Sequence, residues 1–141
     1  MQLMDISDKF VVVTITHDET KIWATGIEKG KKPERIFSPE KTNHHHFRTD
    51  QKTKGSKVDA QTIVYYEEIA ESIAGASQIL LIGHGHAKAS SMLHLIQYLE
   101  RKHPATAHKI VDALDENLAA MSEPEVLILA RAWFDKHQVM I

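Results

Sequence analysis

The sequence predicts an α/β fold built on a mixed five-stranded sheet, an antiparallel meander followed by parallel strands, with helices flanking it. Two observations carry that reading. Runs of β-branched residues separated by turn residues fill the stretch from Phe10 to Phe37, and from Ala60 onward segments with apolar residues at the helical period alternate with short apolar runs. The second pattern is that of strands joined by crossover helices, which set neighbouring strands parallel.

Phe10-Val11-Val12-Val13-Thr14-Ile15-Thr16 is rich in β-branched side chains, which suit a pleated strand. His17-Asp18-Glu19-Thr20 supplies a turn before Lys21–Ile27 resumes the pattern, so these runs form a hairpin. After Gly30-Lys31-Lys32-Pro33 the short run Arg35-Ile36-Phe37 adds a third strand, ended by Pro39. From Glu40 to Lys57 the apolar pattern vanishes except at Phe47, which predicts a long exposed loop. Asp59 can cap a helix from Ala60 to Ala74, with Ile63, Tyr66, Ala70 and Ile73 on one face and Gly75 stopping it. A strand from Gln78 to Ile82 follows, then a helix from Lys88 to Lys102 whose Met92, Leu95, Ile96 and Leu99 form an apolar stripe ended by Pro104. His108–Ala113 reads as the last strand. Ser122 with Glu125 makes a capping box, Pro124 is tolerated in the first turn, and Val126, Leu129, Ala130 and Trp133 mark the inner face of a final helix.

At 141 residues the chain has the size of one domain able to bury a proper core, so residues 1–141 are read as a single module. A net charge of −2 excludes a chain that is basic throughout; contact with nucleic acid then requires a local concentration of lysine and arginine. Zero cysteines exclude disulfides, thiolate zinc sites and cysteine nucleophiles and fit a reducing compartment. The start Met1-Gln2-Leu3-Met4-Asp5-Ile6 lacks the pattern of a signal peptide, and no segment approaches the roughly 20 apolar residues of a membrane span, so a cytoplasmic protein is expected.

The most informative stretch is Gln78–Lys88, where an apolar strand empties through Gly83-His84-Gly85-His86-Ala87-Lys88 into a helix. Glycines let the backbone bend there, and the helix start turns its free N–H groups and partial positive charge toward one point. The turn suits an anion, though it also reads simply as a tight strand-to-helix connection. It does not match a phosphate loop, because Lys88 is followed by Ala89 and the required spacing before Gly-Lys-Ser/Thr is missing.

The order of elements, the polar loop before the first helix and the Gly83-His84-Gly85-His86-Ala87-Lys88 turn resemble the central domain of archaeal and eukaryotic class-one release factors and of Pelota. That family carries a Gly-Pro-Gly-type turn with a nearby lysine after the corresponding strand; here His84 replaces the proline. The resemblance is closer to short bacterial relatives named translational machinery proteins, and runs roughly from Lys9 to Phe134. It implies the release-factor and Pelota central-domain fold, related to ribonuclease H, and a partner in the ribosome or tRNA. In release factors the long loop bears a Gly-Gly-Gln tripeptide whose glutamine places water for peptidyl-tRNA hydrolysis. Here Gln51 is not preceded by two glycines, so release activity is not carried over, whereas Pelota, which also lacks the tripeptide, acts in rescue of stalled ribosomes. With no flanking domain in the sequence, the expectation is a ribosome-associated accessory module.

The chemistry of the loop agrees with that expectation. Lys41, Arg48, Lys52, Lys54 and Lys57 are opposed between positions 41 and 57 by Asp50 alone, and His44, His45 and His46 add charge when protonated. Such a segment meets RNA phosphates through several ion contacts, and His45, His46 and Phe47 can stack on unpaired bases. The alternative is a solvated loop that keeps the chain soluble. The expected RNA- or phosphate-binding set is therefore His44, His45, His46, Arg48, Lys52, Lys54, Lys57, Gly83, Gly85 and Lys88, with no catalytic residue, metal or cofactor.

An enzyme is the competing class. His44–His46, or His84 with His86, offer imidazoles for a metal-assisted hydrolase, although ligands of a tetrahedral site normally come from separated segments. A ribonuclease H-type nuclease needs a carboxylate projecting from the first strand; Val11–Thr16 has none, Asp5 and Asp18 lie outside it, and Asp112 and Asp115 sit near the last strand. Ser90 and Ser91 are not in a Gly-x-Ser-x-Gly elbow and read as helix-start caps. Trp23, Trp133 and Phe134 read as core or partner-contact aromatics.

Overall fold

The computed structural model describes residues 10–38, 60–84 and 90–137. Its strands are β1 (Phe10–Ile15), β2 (Glu19–Trp23), β3 (Glu34–Phe37), β4 (Gln78–Gly83) and β5 (Ile110–Asp115). Its helices are α1 (Ala60–Ile73), α2 (Ser91–Lys102), the short α3 (Pro104–Ala107) and α4 (Glu123–His137), with a 3-10 turn at Leu118–Ala120. The strands form one five-stranded sheet in the order β3-β2-β1-β4-β5. β1 pairs antiparallel with β2 and β2 with β3, whereas β4 lies parallel to both β1 and β5. The mixed sheet expected from the sequence is the one observed.

The central pair fixes the layers. Val12 and Val13 on β1, and Ile79, Leu80 and Ile82 on β4, are wholly buried, so both faces of the sheet must be covered. On the first face Val11, Val13, Ile15, Ile79 and Leu81 pack against Tyr66, Ile69 and Ile73 of α1 and Leu95 and Leu99 of α2. On the second, Val12, Trp23, Leu80 and Ile82 meet Val126, Leu127 and Ala130 of α4, with Trp133 against the edge of the cluster. A register shift between Ile79 and Leu80 lets the edge strand β5 serve both faces: Ile110 joins the first cluster and Leu114 the second.

Local chemistry sets the ends. Ser122 N–H donates to Glu125 Oε1 (2.8 Å) and Glu125 N–H to Ser122 Oγ (3.3 Å), the reciprocal capping box expected at the start of α4. Ser90 caps α2, its Oγ accepting from Leu93 N–H at 3.2 Å. β2 stops at Trp23 instead of running to Ile27, because Gly26 holds φ +141°, which no strand residue with a Cβ adopts readily. Pro104 does more than end α2: with no N–H to lose, it sits at the first turn of α3. Ile63 is 40% exposed, so the inner face of α1 runs through Tyr65 and Ile69 rather than through Ile63. Asp59 lies outside the described residues.

Polar ties join the layers. Buried Thr20 Oγ1 and Tyr65 Oη lie 2.7 Å apart, pinning α1 to β2. Glu67 of α1 accepts from Tyr98 Oη of α2 and lies 2.7 Å from His103 Nε2. Those bonds hold its carboxyl below the usual carboxylate range. Behind the second face, Trp133 Nε1 donates to Asp112 Oδ2 (2.8 Å) while its ring stacks on Phe10 (5.9 Å) and His137 (4.1 Å). Asp112 is thus committed to holding α4, and Trp133 belongs to the core margin.

Two expected outcomes follow from this packing. A Cβ on Gly83 would stand 2.6 Å from Met92 Cβ, an atom that cannot swing away. Gly83→Ala therefore costs about 1–3 kcal/mol in urea unfolding, by pushing α2 off the end of β4; an unchanged midpoint refutes this contact. Burial pushes the Tyr65 and Tyr98 hydroxyls up to about 12, against the opposing hydrogen bond from Thr20 in the first case and aided by the bond to Glu67 in the second. Because folding raises both values, the stability they contribute is complete below about pH 10 and lost as pH climbs toward 12. Absorbance at 295 nm should show Tyr65 and Tyr98 un-ionised well above pH 10, released only with alkaline unfolding; full titration near pH 10 in the folded state contradicts it.

Candidate functional site

The direction of the strands gathers one end of the sheet. β1, β3, β4 and β5 all point their carboxyl ends the same way, since β2 reverses between β1 and β3. α1 returns along the sheet to feed β4 through the short link 74–77, so its first residue stands at that same edge. In open α/β sheets this edge, outside the carboxyl ends of the strands, is where connections leave room for ligands.

Hydrogen bonding makes the edge rigid. In the hairpin turn Thr16 Oγ1 accepts from the N–H groups of Asp18 (3.1 Å) and Glu19 (3.2 Å), while Thr16 N–H donates to the Glu19 carbonyl at 3.0 Å. The turn then reaches sideways to the end of β3. Ser38 N–H donates to the Asp18 carbonyl (2.9 Å), and Ser38 Oγ donates to the His17 carbonyl (2.6 Å). On its other side His17 Nδ1 lies 3.3 Å from Ser91 Oγ, at the first turn of α2. His17 thus bridges Ser38, from which segment 39–59 departs, to the helix that follows the glycine turn.

Gly83 ends β4 at this edge. It is buried, its carbonyl accepts from Glu116 N–H at 2.8 Å, and its lack of a side chain is what lets Met92 of α2 close on the strand. Its φ is not in the left-handed region, so the requirement is for space rather than for an unusual backbone. His84 follows and is exposed. Of the expected binding residues, Gly83 alone falls within the described residues. His44, His45, His46, Arg48, Lys52, Lys54, Lys57, Gly85 and Lys88 lie outside them, as do Lys41 and His86.

Two functional details were not foreseen. The two adjacent serines divide the work: Ser90 alone caps α2, while Ser91 contacts His17. Nothing in the local sequence marks His17, whose partner is 74 positions away. Among the described residues no three His, Asp or Glu side chains gather as ligands for a metal, and no helix is long and apolar enough to cross a membrane.

No known family matches the sequence, and no characterised protein is similar to it at a significant level. Solved structures that share its architecture include two archaeal Pelota proteins. Pelota from Archaeoglobus fulgidus superposes over 95% of this chain with a TM-score of 0.57 at 14% identity. Pelota from Thermoplasma acidophilum superposes over 94% with a TM-score of 0.51 at 12% identity. The chain spans 34% and 40% of the lengths of those two proteins. At such identities the relation is one of fold, and the chain is similar in architecture to that part of Pelota.

Proposed function

We propose that this protein is a translation-associated accessory factor, a single module that binds the ribosome or tRNA through the basic segment Lys41–Lys57 without hydrolysing the peptidyl ester. The observation that carries the reading is the bridge at His17. Through Ser38 and Ser91 it fastens the departure point of the basic segment beside the helix start after Gly83, at one edge of the sheet. The two parts of the sequence suited to phosphates, the lysine-rich segment and the glycine turn with Lys88, are therefore rooted together.

Electrostatics supports an RNA partner. Five cations against one carboxylate between positions 41 and 57 contrast with a chain whose net charge is −2, so a polyanion is drawn to that segment in preference to the rest. The Pelota-like architecture supports a ribosomal setting, with roles of the ribosome-rescue kind and a cytoplasmic location. Missing the Gly-Gly-Gln tripeptide, the segment has no means of placing the hydrolytic water.

Co-sedimentation with ribosomes, and filter binding to tRNA, test the reading across a salt series. The chain should associate at low salt, and the K52E/K54E/K57E variant should bind at least about tenfold more weakly. Its log K against log salt plot should also flatten by about 2, the loss of three phosphate contacts at about 0.7 each on single strands. Equal binding and equal slope for the two proteins would remove the basic segment from the interface.

A further inference from the structure

A recess lies on the opposite face from α1 and α2, between the β1–β2 hairpin and the 3-10 turn that leads into α4. It is a cavity of about 300 Å³, at the lower end of the range that holds small molecules. Its floor is Thr14, which is only 5% exposed. Thr14 faces this side because the register pairs it with Lys21 and Ile82, both on the α4 side of the sheet. Its hydroxyl has no hydrogen-bond partner among the described residues, yet none of their buried side-chain oxygens is sealed away unsatisfied, so it opens into the cavity. The neighbouring threonines are committed, Thr20 to Tyr65 and Thr16 to its own turn. In a strand reading Val-Val-Val-Thr-Ile, a valine would fill this place without a polar group to satisfy.

The walls are apolar and the mouth is acidic. Leu118, Met121 and Val126 line one side. At the mouth Glu123 is already neutralised, its Oε2 lying 3.1 Å from Lys21 Nζ and 2.7 Å from Arg35 Nη2. Glu19 has only the longer 3.8 Å contacts with Lys21 and Arg35, and Asp18 makes no ion pair among the described residues. Two cations thus serve two carboxylates here, and the negative charge left without an ion pair among the described residues is that of Asp18. Glu19 is two residues along β2 from Lys21, the partner of Thr14, so Glu19 and Thr14 stand diagonally opposite across the strand pair, their backbone positions about 7–8 Å apart.

We propose that this cavity binds a small amino alcohol, an organic monocation whose ammonium head meets Asp18 and Glu19, whose chain lies on Leu118 and Val126, and whose hydroxyl pairs with Thr14. The ligand groups differ from those of the RNA contact proposed above, although the Asp18 carbonyl also holds Ser38 at the root of the basic segment.

Amide NMR titration of the full chain with 5-amino-1-pentanol tests it, with pentylamine, 1,5-pentanediol and 5-hydroxypentanoate as comparators. The amino alcohol should give saturable shifts at Thr14, Lys21 and Met121, binding about tenfold more tightly than the diol or the anion. Thr14→Val should weaken the amino alcohol about fivefold and leave pentylamine unchanged. Asp18→Asn, at an exposed side chain that makes no bond of its own among the described residues, should weaken both amines and leave the diol unchanged. Absence of saturable shifts, equal affinity for the diol, or equal response of both amines to Thr14→Val would each overturn the site.

Discussion

The pairing of β1 with β4 is the constraint on which the remaining structure depends. Six residue pairs from Phe10↔Gln78 to Ile15↔Gly83 run in parallel, and most of their side chains are withdrawn from water on both faces. A parallel pair cannot be closed by a tight hairpin, so the chain must travel from one end of the sheet to the other before β4 can form. That journey is made by β2, β3, segment 39–59 and α1. Covering the pair then requires helices on both sides, α1 and α2 on one and α4 on the other. The layered architecture is therefore a consequence of burying two neighbouring apolar strands that run the same way.

The same pairing explains why the polar features collect at one edge. Parallel strands end together, so the hairpin turn after β1 and the glycine turn after β4 are neighbours although they lie far apart in sequence. Gly83 allows α2 to approach the strand end, and Ser91 then comes within reach of His17. The other face has a different economy of charge. There Glu123, at the start of α4, is pushed up by partial burial, but Lys21 and Arg35 outweigh this and hold its carboxyl below the usual carboxylate range. An anion at a helix start, flanked by two cations, fastens α4 to β2 and β3, and the cavity is the gap left beside that anchor.

Local patterns in the sequence reported local structure well. The β-branched run of β1, the apolar run of β4 and the Ser122–Glu125 capping box each involve neighbours whose physics is complete within a few residues, and each is found where the pattern puts it. The departures are tertiary. Ile63 has the right period for an inner face, yet α1 is rotated so that Tyr65 can reach Thr20, and Ile63 turns outward. Pro104 reads as a stop, which it is for α2, but a proline is equally fit to start α3. His17 and the Thr14 hydroxyl, unpartnered among the described residues, carry no local signature, because what distinguishes them is which distant groups do or do not stand opposite. Of the expected binding set, the packing role of Gly83 is now visible, whereas the basic residues belong to segments outside the described residues.

Charge distribution links the two faces to the proposed activity. With five cations concentrated between positions 41 and 57 and a net charge of −2 for the chain, the remaining residues are net negative. On the proposed reading a polyanion is drawn to that segment and repelled by the remainder, which orients the molecule before any specific contact forms. Salt weakens both forces, and the attraction at contact distance survives screening better than the repulsion from the far side. Asp18 belongs to that net-negative remainder, so the organic cation and the RNA proposed as ligands would be drawn to groups of opposite charge.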